Sequence, residues 1–337
     1  MTIEIVKAGL LTTVQDNGRY GFQKVGVSVS GAMDTDALQV ANLLVGNDPT
    51  EAALEITLIG PVIRFHEDVL FAITGGNLSP LINGGEIPIH RPVLAVKGDI
   101  LSFGKVKSGC RSYLAFAGGL EMKKIMNSYS TYLRAEIGGY KGRVLQAGDK
   151  LTVKSYQERS LRLSELITKM GGKWLLWGLG VSMLKSNTPI IRIVRGRHYD
   201  LFSEDSQRTF LNSTYKVALE SDRMGYRLNG EKLALRKTEQ LLSEPVSFGT
   251  IQVPGGGLPI ILMADSQTVG GYPIIGQVIA VDRSKLAQLK PGDSIVFQET
   301  DIMEAERLYR KNNQNLEQLR ASIDARLLEG RMYGANS

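Results

Sequence analysis

Residues 262–273 combine the residue types that a ligand site needs at the end of a strand. An apolar run stops at a carboxylate, and an amide, a hydroxyl, two adjacent glycines and a tyrosine follow it, at Asp265, Gln267, Thr268, Gly270, Gly271 and Tyr272. Glycines have no Cβ, so they adopt positive φ and let a backbone approach a ligand closely. The segment is therefore interpreted as a strand end that faces a ligand.

Two polar clusters near the start of the chain allow both a structural and a functional interpretation. In residues 15–19, Asp16 is suited to hold the backbone of a turn, whereas Arg19 offers the planar guanidinium that clamps a carboxylate or phosphate. Just before a helical pattern, Ser30 and the glycine that follows it present a hydroxyl and backbone N–H groups to an anion. Asp34 is interpreted as the N-cap of that helix rather than as a base.

Further polar residues lie within or beside apolar strands. Glu55 either faces solvent or acts as a base in a partly dry cleft, where burial raises the pKa of a carboxylate. Asp222 and Arg223 form either a solvated turn or, together with Arg227, a built site. Gln252 precedes a glycine-rich loop that leads into residues 262–273, so we expect it near Asp265.

Turn and strand patterns predict the elements that position these residues. A Gly-Asp pair precedes an alternating apolar run at Gly98, Gly148 and Gly292, and the chain has 37 glycines. Each pair predicts a tight turn that feeds a half-buried strand, so the fold is predicted to be mainly β, with barrels or sandwiches. Helices are predicted over residues 34–45 and from Asp301 onward, where Glu304 completes a capping pattern.

A change of pattern between residues 154 and 189 predicts the domain boundary. The stretch is basic and contains serine, with an amphipathic piece near residues 161–170. We expect an N-terminal unit over 1–155, a linker or insertion over 156–188, a second unit over 189–300, and a C-terminal helix and tail over 301–337.

Composition argues against several classes of function. Forty Lys and Arg against thirty-four Asp and Glu give a net charge of +6, and the charges are interspersed, so we expect no nucleic-acid binding. Apolar runs fall far short of the ~20 residues that span a membrane, so we expect no membrane association. One cysteine, Cys110, and no secretory signal favour the cytoplasm. Three histidines without ligand spacing predict no metal site, and no GxxxxGK[ST] loop is present.

Seven motifs, taken in order, resemble those of one family, the KipA-type proteins. This family is also called allophanate hydrolase subunit 2-like or biotin-dependent carboxyltransferase-like, and in many bacteria its members are the C subunit of 5-oxoprolinase (PxpC). The resemblance extends to about residue 300 and rests on residues 11–19 (LTTVQDNGR), 30–34 (SGAMD), 41–47 (ANLLVGN), 54–57 (LEIT), 111–119 (RSYLAFAGG), 222–228 (DRMGYRL) and 264–273 (ADSQTVGGYP).

The resemblance implies two cyclophilin-like β-barrel units and a place in a heteromeric enzyme. The implied reaction is the ATP-dependent opening of 5-oxo-L-proline to L-glutamate, an amide-ring hydrolysis. The implied partners are a KipI-type protein (PxpB) and a LamB/YcsF-like protein (PxpA), with ATP as a cofactor of the complex. Phosphorylation of the lactam oxygen would supply the leaving group, so the protein needs anion clamps and a base.

On this resemblance each candidate residue receives a role. Arg19, Arg223 and Arg227 are candidate clamps, and Asp265 is the candidate base. Gln252, Gln267 and Thr268 would orient an amide or a carboxylate. The remaining candidates for substrate binding are Gln15, Ser30, Gly270, Gly271 and Tyr272.

Two departures from the family pattern and two other functions stay open. Tyr129 stands where the family has an arginine, and residues 194–197 (VRGR) stand where Gly-Pro-Gln is usual. A carboxyltransferase acting on urea or a related amide with carboxybiotin is one alternative, although this chain has no biotin-acceptor segment and would need a separate carrier. A regulatory antagonist that binds a KipI-type histidine kinase inhibitor is the other.

Overall fold

Gly-Asp turns start three strands of the structure, as the sequence predicts. In each turn the glycine has a φ of 88° to 94°. The aspartate carboxylate accepts a hydrogen bond from the backbone N–H three residues earlier, at 3.1 Å for Asp99, 2.7 Å for Asp149 and 3.0 Å for Asp293. The same local hydrogen bond therefore explains why the pair recurs in the sequence.

The computed structural model describes residues 1–178, 188–237 and 241–334, with side chains described as far as residue 328. Two units are distinguished by their internal contacts. Unit 1 comprises Met1–Gly18, Asp34–Met183 and Asn313–Ser337, and unit 2 comprises Arg19–Met33 and Leu184–Asn312. Both units are assembled from segments that are distant in the sequence.

Unit 1 contains two antiparallel sheets. The six-stranded sheet has the order β11-β1-β4-β9-β6-β7, and the five-stranded sheet has the order β2-β3-β10-β5-β8. The strands are β1 (Thr2–Lys7), β2 (Leu11–Gln15), β3 (Ala53–Thr57), β4 (Val62–Phe65), β5 (Val69–Asn77), β6 (Pro80–Ile82), β7 (Gly85–Glu86), β8 (Pro92–Ala95), β9 (Ile100–Phe103), β10 (Ser108–Phe116) and β11 (Lys150–Thr152).

Apolar side chains from these strands form one core, which includes Ile3, Ile63, Phe71 and Leu114. Helix α1 (Thr35–Leu44) begins as predicted, because the Asp34 carboxylate accepts a hydrogen bond from the Ala37 N–H at 3.0 Å. Helix α2 (Glu158–Lys169) also belongs to this unit, and a short 3-10 helix spans Leu133–Ala135.

Unit 2 contains a closed barrel of seven strands, in the order β12-β19-β16-β17-β14-β13-β20, and a separate β15-β18 pair. Its core includes Ile193, Phe210, Tyr226 and Ile261. Short 3-10 helices span Gln23–Val25, Tyr199–Leu201 and Ala280–Asp282. The strands and helices are β12 (Ile190–Arg195), α3 (Glu204–Asn212), β13 (Thr214–Val217), β14 (Gly225–Asn229), β15 (Glu244–Pro245), β16 (Thr250–Gln252), β17 (Ile260–Leu262), β18 (Val269–Gly270), β19 (Ile274–Val278), α4 (Arg283–Ala287) and β20 (Ser294–Glu299).

The C-terminal helix α5 spans Ile302–Gly334. It starts at the predicted cap, where the Glu304 N–H donates to the Asp301 carboxylate at 2.8 Å. Ile323 and Leu327, which are four residues apart and so share one face of the helix, are 4% and 5% exposed. The prediction of a mainly β fold with few helices, a barrel and a C-terminal helix is confirmed.

The predicted domain ranges stay predictions, and the contact-based units differ from them in two ways. Residues 19–33 belong to unit 2, although they precede α1 of unit 1 in the chain. Residues 158–169, inside the predicted linker, form α2 of unit 1. Residues 179–187 of that predicted linker lie outside the described residues. Across the described ranges, no helix is long and apolar enough to cross a membrane.

We predict that His90 makes the stability of the protein depend on pH. Burial lowers the pKa of His90 to about 4, a shift that a hydrogen bond with the Gly75 backbone opposes. The unfolded chain thus binds a proton near pH 6.5 and the folded chain only near pH 4, so stability is lost as pH falls through this window. The loss attributable to His90 is about 3 kcal/mol.

Urea unfolding at about pH 7.5 and about pH 4 measures this loss in the wild type and in His90→Asn. Asparagine is chosen because His90 has a φ of 59°, which asparagine tolerates. The variant should lose about 3 kcal/mol less than the wild type over this interval. Equal losses in the two proteins would show that His90 does not cause the pH dependence.

Candidate functional site

Antiparallel pairing of two barrel strands brings Arg223 and Asp265 together. Arg223 lies just before β14 and Asp265 just after β17, and Gly225 is opposite Leu262 in the register of these strands. The pairing continues past the strand ends, because the Asp265 N–H donates to the Arg223 carbonyl at 2.8 Å. The site is thus held by backbone as well as by side chains.

Asp265 and Arg223 form a buried, bidentate ion pair. Arg223 Nε donates to Oδ2 at 2.8 Å and Nη2 to Oδ1 at 2.9 Å. The exposed fraction of each residue is 5%. Two opposite charges in such a place stabilise each other, and loss of either one would leave the other buried without its counter-charge.

Ser30 completes what we call the Asp265 cluster, defined as Ser30, Arg223 and Asp265. Its Oγ donates to Asp265 Oδ1 at 2.6 Å, and its backbone is left-handed, with a φ of 57°. Arg223 Nη2 also donates to the Gly31 carbonyl at 2.6 Å, and Ser28 Oγ donates to the Ser266 carbonyl at 2.8 Å. Residues 28–31 are therefore fastened at two points to the segment after β17 and at one point to Arg223, just before β14.

This arrangement favours positioning over free acid–base exchange. The carboxylate of Asp265 already accepts three hydrogen bonds, two on Oδ1 and one on Oδ2, so most of its acceptor capacity is used before a substrate proton arrives. The carboxylate also polarises the Ser30 hydroxyl, from which it accepts a hydrogen bond. The role of Asp265 as a base stays a prediction. Its hydrogen bonds also hold the side chains of Ser30 and Arg223 in place.

Arg19 belongs to the same unit as the cluster and is fully buried, at 0% exposed. Its backbone N–H donates to the Val29 carbonyl at 2.7 Å, next to Ser30. This bond closes the loop over residues 19–29. The sequence therefore identified a buried arginine adjacent to the anchored segment, and its role as a clamp stays a prediction.

Gln252, Gly270 and Tyr272 lie together in unit 2, and no described hydrogen bond joins them to the Asp265 cluster. Gln252 is 2% exposed, and its Nε2 is 3.5 Å from the Tyr272 carbonyl. A Cβ placed on Gly270 would lie 2.5 Å from Gln252 Nε2, so a larger residue there would displace the amide end of the Gln252 side chain. Tyr272 itself is 51% exposed, and Gly271 and Gln267 are exposed.

The described hydrogen bond of Thr268 is made by its backbone, whose carbonyl accepts from the Val246 N–H at 3.0 Å. The β15-β18 pair places Glu244 opposite Gly270. Glu244 Oε1 is 3.5 Å from His198 Nδ1, and that nitrogen accepts a hydrogen bond from the Ile274 N–H at 3.1 Å. His198 and Glu244 were not among the predicted residues.

Residues 222–227 were interpreted either as a solvated turn or as a built site, and the structure shows both. The Asp222 carboxylate accepts hydrogen bonds from the Met224 and Gly225 N–H groups, at 2.8 and 3.2 Å, so it forms the solvated turn. Arg223 points inward and belongs to the built site. Arg227 is exposed on β14, and no described contact joins it to the Asp265 cluster.

Gln15 and Asp16 lie in unit 1. Gln15 is fully buried, and its Nε2 donates to Thr13 Oγ1 at 3.0 Å and to the Thr131 carbonyl at 3.2 Å. Asp16 accepts hydrogen bonds from Ser128 Oγ at 2.6 Å and from the Tyr129 N–H at 2.6 Å, and from the Gly18 N–H at 2.8 Å. The turn interpretation of Asp16 is confirmed and extends to a second loop.

Both departures from the family pattern lie in contact with charged side chains. The Lys124 and Lys154 ammonium groups lie 4.9 and 5.5 Å from the centre of the Tyr129 ring, so cations surround the position of the missing guanidinium. Arg195 pairs with Glu299 at 2.7 Å, and Arg197 pairs with Glu244 at 3.1 Å.

A second buried polar network in unit 1 was largely missed by sequence reasoning. Tyr113 is opposite Glu55 in the register of β10 and β3, and its hydroxyl donates to Glu55 Oε2 at 2.7 Å. The same hydroxyl accepts from the Asp34 N–H at 2.7 Å, and Arg111 Nε lies 3.9 Å from Glu55 Oε1. Burial, followed by the charge of Glu55, raises the pKa of Tyr113 well above its usual value.

This network corrects the solvent-facing interpretation of Glu55, which is 1% exposed. Its structural reason is that all five residues of β3 are buried, so both faces of the sheet are covered at this strand. One signal was available in the sequence. Arg111 and Tyr113 are two residues apart in an apolar run, so they share one face of β10.

Comparison with known proteins agrees with these features. A family model described as "Carboxyltransferase domain, subdomain A and B" matches residues 25–299. The C subunit of 5-oxoprolinase from Escherichia coli (strain K12) is 38% identical over 317 residues, which is 94% of this chain and 97% of that protein. The counterpart from Haemophilus influenzae is 37% identical over 322 residues, 96% of this chain and 99% of that protein.

A solved structure, that of the K. lactis urea amidolyase, matches 94% of this chain with a TM-score of 0.85 and 30% sequence identity. The match covers only 20% of that longer chain. The similarity extends across both units, and two relatives each match at least 94% of this chain. The chain therefore belongs to the family of 5-oxoprolinase C subunits, whose members carry subdomains A and B of the carboxyltransferase domain.

Proposed function

We propose that this chain is the C subunit of an ATP-dependent 5-oxoprolinase, which opens 5-oxo-L-proline to L-glutamate. One observation carries the proposal. The chain corresponds to the C subunit of a 5-oxoprolinase over 97% of that protein's length, whereas it matches only 20% of the urea amidolyase chain that it resembles. A protein of the same size and fold is expected to act in the same kind of complex.

The Asp265 cluster is the candidate site for this role. Ring opening of a lactam develops negative charge on the amide oxygen, and the site must hold donors and a carboxylate in fixed positions. Ser30 and Asp265 are held in this way, because Arg223 binds both the carboxylate and the Gly31 carbonyl. Gln252, beside Gly270, would contribute an amide that can orient a carboxylate or an amide of the substrate.

ATP binding does not fit the Asp265 cluster. A triphosphate needs uncompensated cations, and Arg223, the cation of this cluster, is already neutralised by Asp265. The sequence has no GxxxxGK[ST] loop. Within the proposal, nucleotide chemistry therefore belongs with the partners, a KipI-type PxpB and a LamB/YcsF-like PxpA, and no step on this chain's residues is derived through ATP.

A second candidate is transfer of a carboxyl group from carboxybiotin to urea or a related amide. It is favoured by the description of the family model and by the structural match to a urea amidolyase. The chain has no biotin-acceptor segment, so this reaction would require a separate carrier protein. Biotin enters only under this alternative.

Reconstitution separates the two candidates. The chain is mixed with its candidate partners PxpB and PxpA, and ATP hydrolysis that depends on 5-oxoproline is followed together with glutamate release. We expect both products with all three proteins and neither when this chain is omitted. Turnover of urea with carboxybiotin, in the absence of 5-oxoproline turnover, would reverse the order of the candidates.

Replacement of the carboxylate tests the site. Asp265→Asn should lower the turnover of the reconstituted complex by about a hundredfold or more, because it removes the charge that fixes Arg223 and any base at this position. The matched control is Asp222→Asn, which alters an exposed turn of the same unit and should leave turnover unchanged. Full activity in Asp265→Asn would remove this cluster from the reaction.

The ion pair also predicts a difference in stability between two neighbouring arginines. Arg223→Met should lower the free energy of unfolding by about 3–5 kcal/mol, because it leaves Asp265 buried without its counter-charge. Arg227→Met, on the exposed face of β14, should change it by less than about 0.5 kcal/mol. Urea unfolding of the two variants measures the difference, and similar losses would show that Asp265 does not depend on Arg223.

A further inference from the structure

Arg283 is a cation that lacks a counter-charge in the described part of unit 2. It is the first residue of α4 and only partly exposed, and its Nε is shielded from solvent and has no hydrogen-bond partner. The guanidinium lies over the ring of Phe248, 5.1 Å from its centre. An aromatic face attracts a cation, but it neutralises no charge.

The groups around Arg283 do not supply the missing anion. The ionisable side chains that act on it are the phenols of Tyr20 and Tyr309, which are uncharged at neutral pH, and burial lowers the pKa of Arg283. Asp282, its neighbour in sequence, is committed to a bidentate pair with Arg192 and to Lys285. A positive charge at the start of a helix gains nothing from the helix dipole either.

Arg283 is only partly exposed and has no counter-charge in the described part of unit 2, so an anion from outside the chain would be stabilised by it. The surroundings indicate its source. Tyr20 is 63% exposed and Tyr309 is 51% exposed, and both side chains are near enough to act electrostatically on the arginine. Tyrosine and arginine are among the residues most enriched at the energetic centres of protein–protein interfaces.

We propose that Tyr20, Phe248, Arg283 and Tyr309 form a docking surface that receives an aspartate or glutamate side chain of a partner protein. The identity of that partner as the KipI-type PxpB rests on the proposed function. The partner carboxylate would accept two parallel hydrogen bonds from the guanidinium, and the tyrosines would exclude water around them.

The test is a binding measurement that does not require turnover. The Kd of the chain for PxpB is measured by calorimetry for the wild type and for Arg283→Gln, Arg283→Lys and Arg283→Glu. We expect Arg283→Gln to raise Kd about tenfold or more, Arg283→Glu to raise it further, and Arg283→Lys to restore only part of the affinity. Thermal unfolding should show at most a small drop in Tm for Arg283→Gln, because the contact with the Phe248 ring is lost but no ion pair within the described part of the chain is lost.

Arg310→Gln is the matched control, since Arg310 is exposed on α5 one residue beyond Tyr309 and already pairs with Glu306 at 3.2 Å. It should leave Kd unchanged. An unchanged Kd in Arg283→Gln would overturn the inference, and so would a lowered Tm with unchanged Kd, which would assign Arg283 to the fold. Binding of inorganic phosphate that is lost in Arg283→Gln while Kd for PxpB is kept would reassign the surface to small anions and also overturn it.

The outcomes remain distinct from those of the proposed function. A complex that forms and depends on Arg283 but does not turn over 5-oxoproline would refute the proposed reaction and keep the docking surface. A wild-type complex that is active but insensitive to Arg283 would refute only the docking surface. A wild-type chain that does not bind PxpB at all would refute both.

Discussion

The bidentate pair between Arg223 and Asp265 is the constraint on which the candidate site depends. Two opposite charges at 5% exposure are stable only together, and their hydrogen bonds fix the direction of both side chains. The pair sits where β14 begins and β17 ends, so the barrel sets its position. Ser30 and Gly31 are then fixed relative to the barrel, because one bonds to the carboxylate and the other to the guanidinium. Removal of the pair would take away the bonds from residues 28–31 to Asp265 and Arg223 and leave the bond between Ser28 and the Ser266 carbonyl.

Buried aspartates elsewhere in the molecule also join separate segments of the chain by hydrogen bonds. Asp16 in unit 1 collects hydrogen bonds from its own turn and from residues 128–130, and Asp282 in unit 2 holds both the backbone N–H and the guanidinium of Arg192. The three Gly-Asp turns use a carboxylate in a local version of this contact. A chain with 37 glycines has many segments of low intrinsic order, and carboxylates that accept several N–H or O–H donors give those segments one conformation.

Local features of the sequence predicted much of the fold. The Gly-Asp pairs, the Asp34 cap and the Asp301 cap act within a few residues, so their outcome depends little on the rest of the chain. The site was predicted only in part. Arg223, Ser30 and Asp265 were each identified by chemistry, but their contact joins residues up to 235 positions apart, which one sequence does not encode in any local pattern. Tyr113 was missed because a tyrosine in an apolar run is usually a core residue, and the pairing that makes it polar lies across the sheet, at Glu55.

Residues 28–31 carry a consequence for synthesis of the chain on the ribosome. The segment belongs to unit 2, yet it leaves the ribosome before nearly all of the residues that hold it, and Ser30 waits for a carboxylate 235 positions later. At about 5–20 residues per second this delay is on the order of ten to fifty seconds. During that time the bond to Asp265 that holds Ser30 is missing, so the docking of residues 28–31 onto the barrel of unit 2 is a late event that joins an early part of the nascent chain to one of the newest.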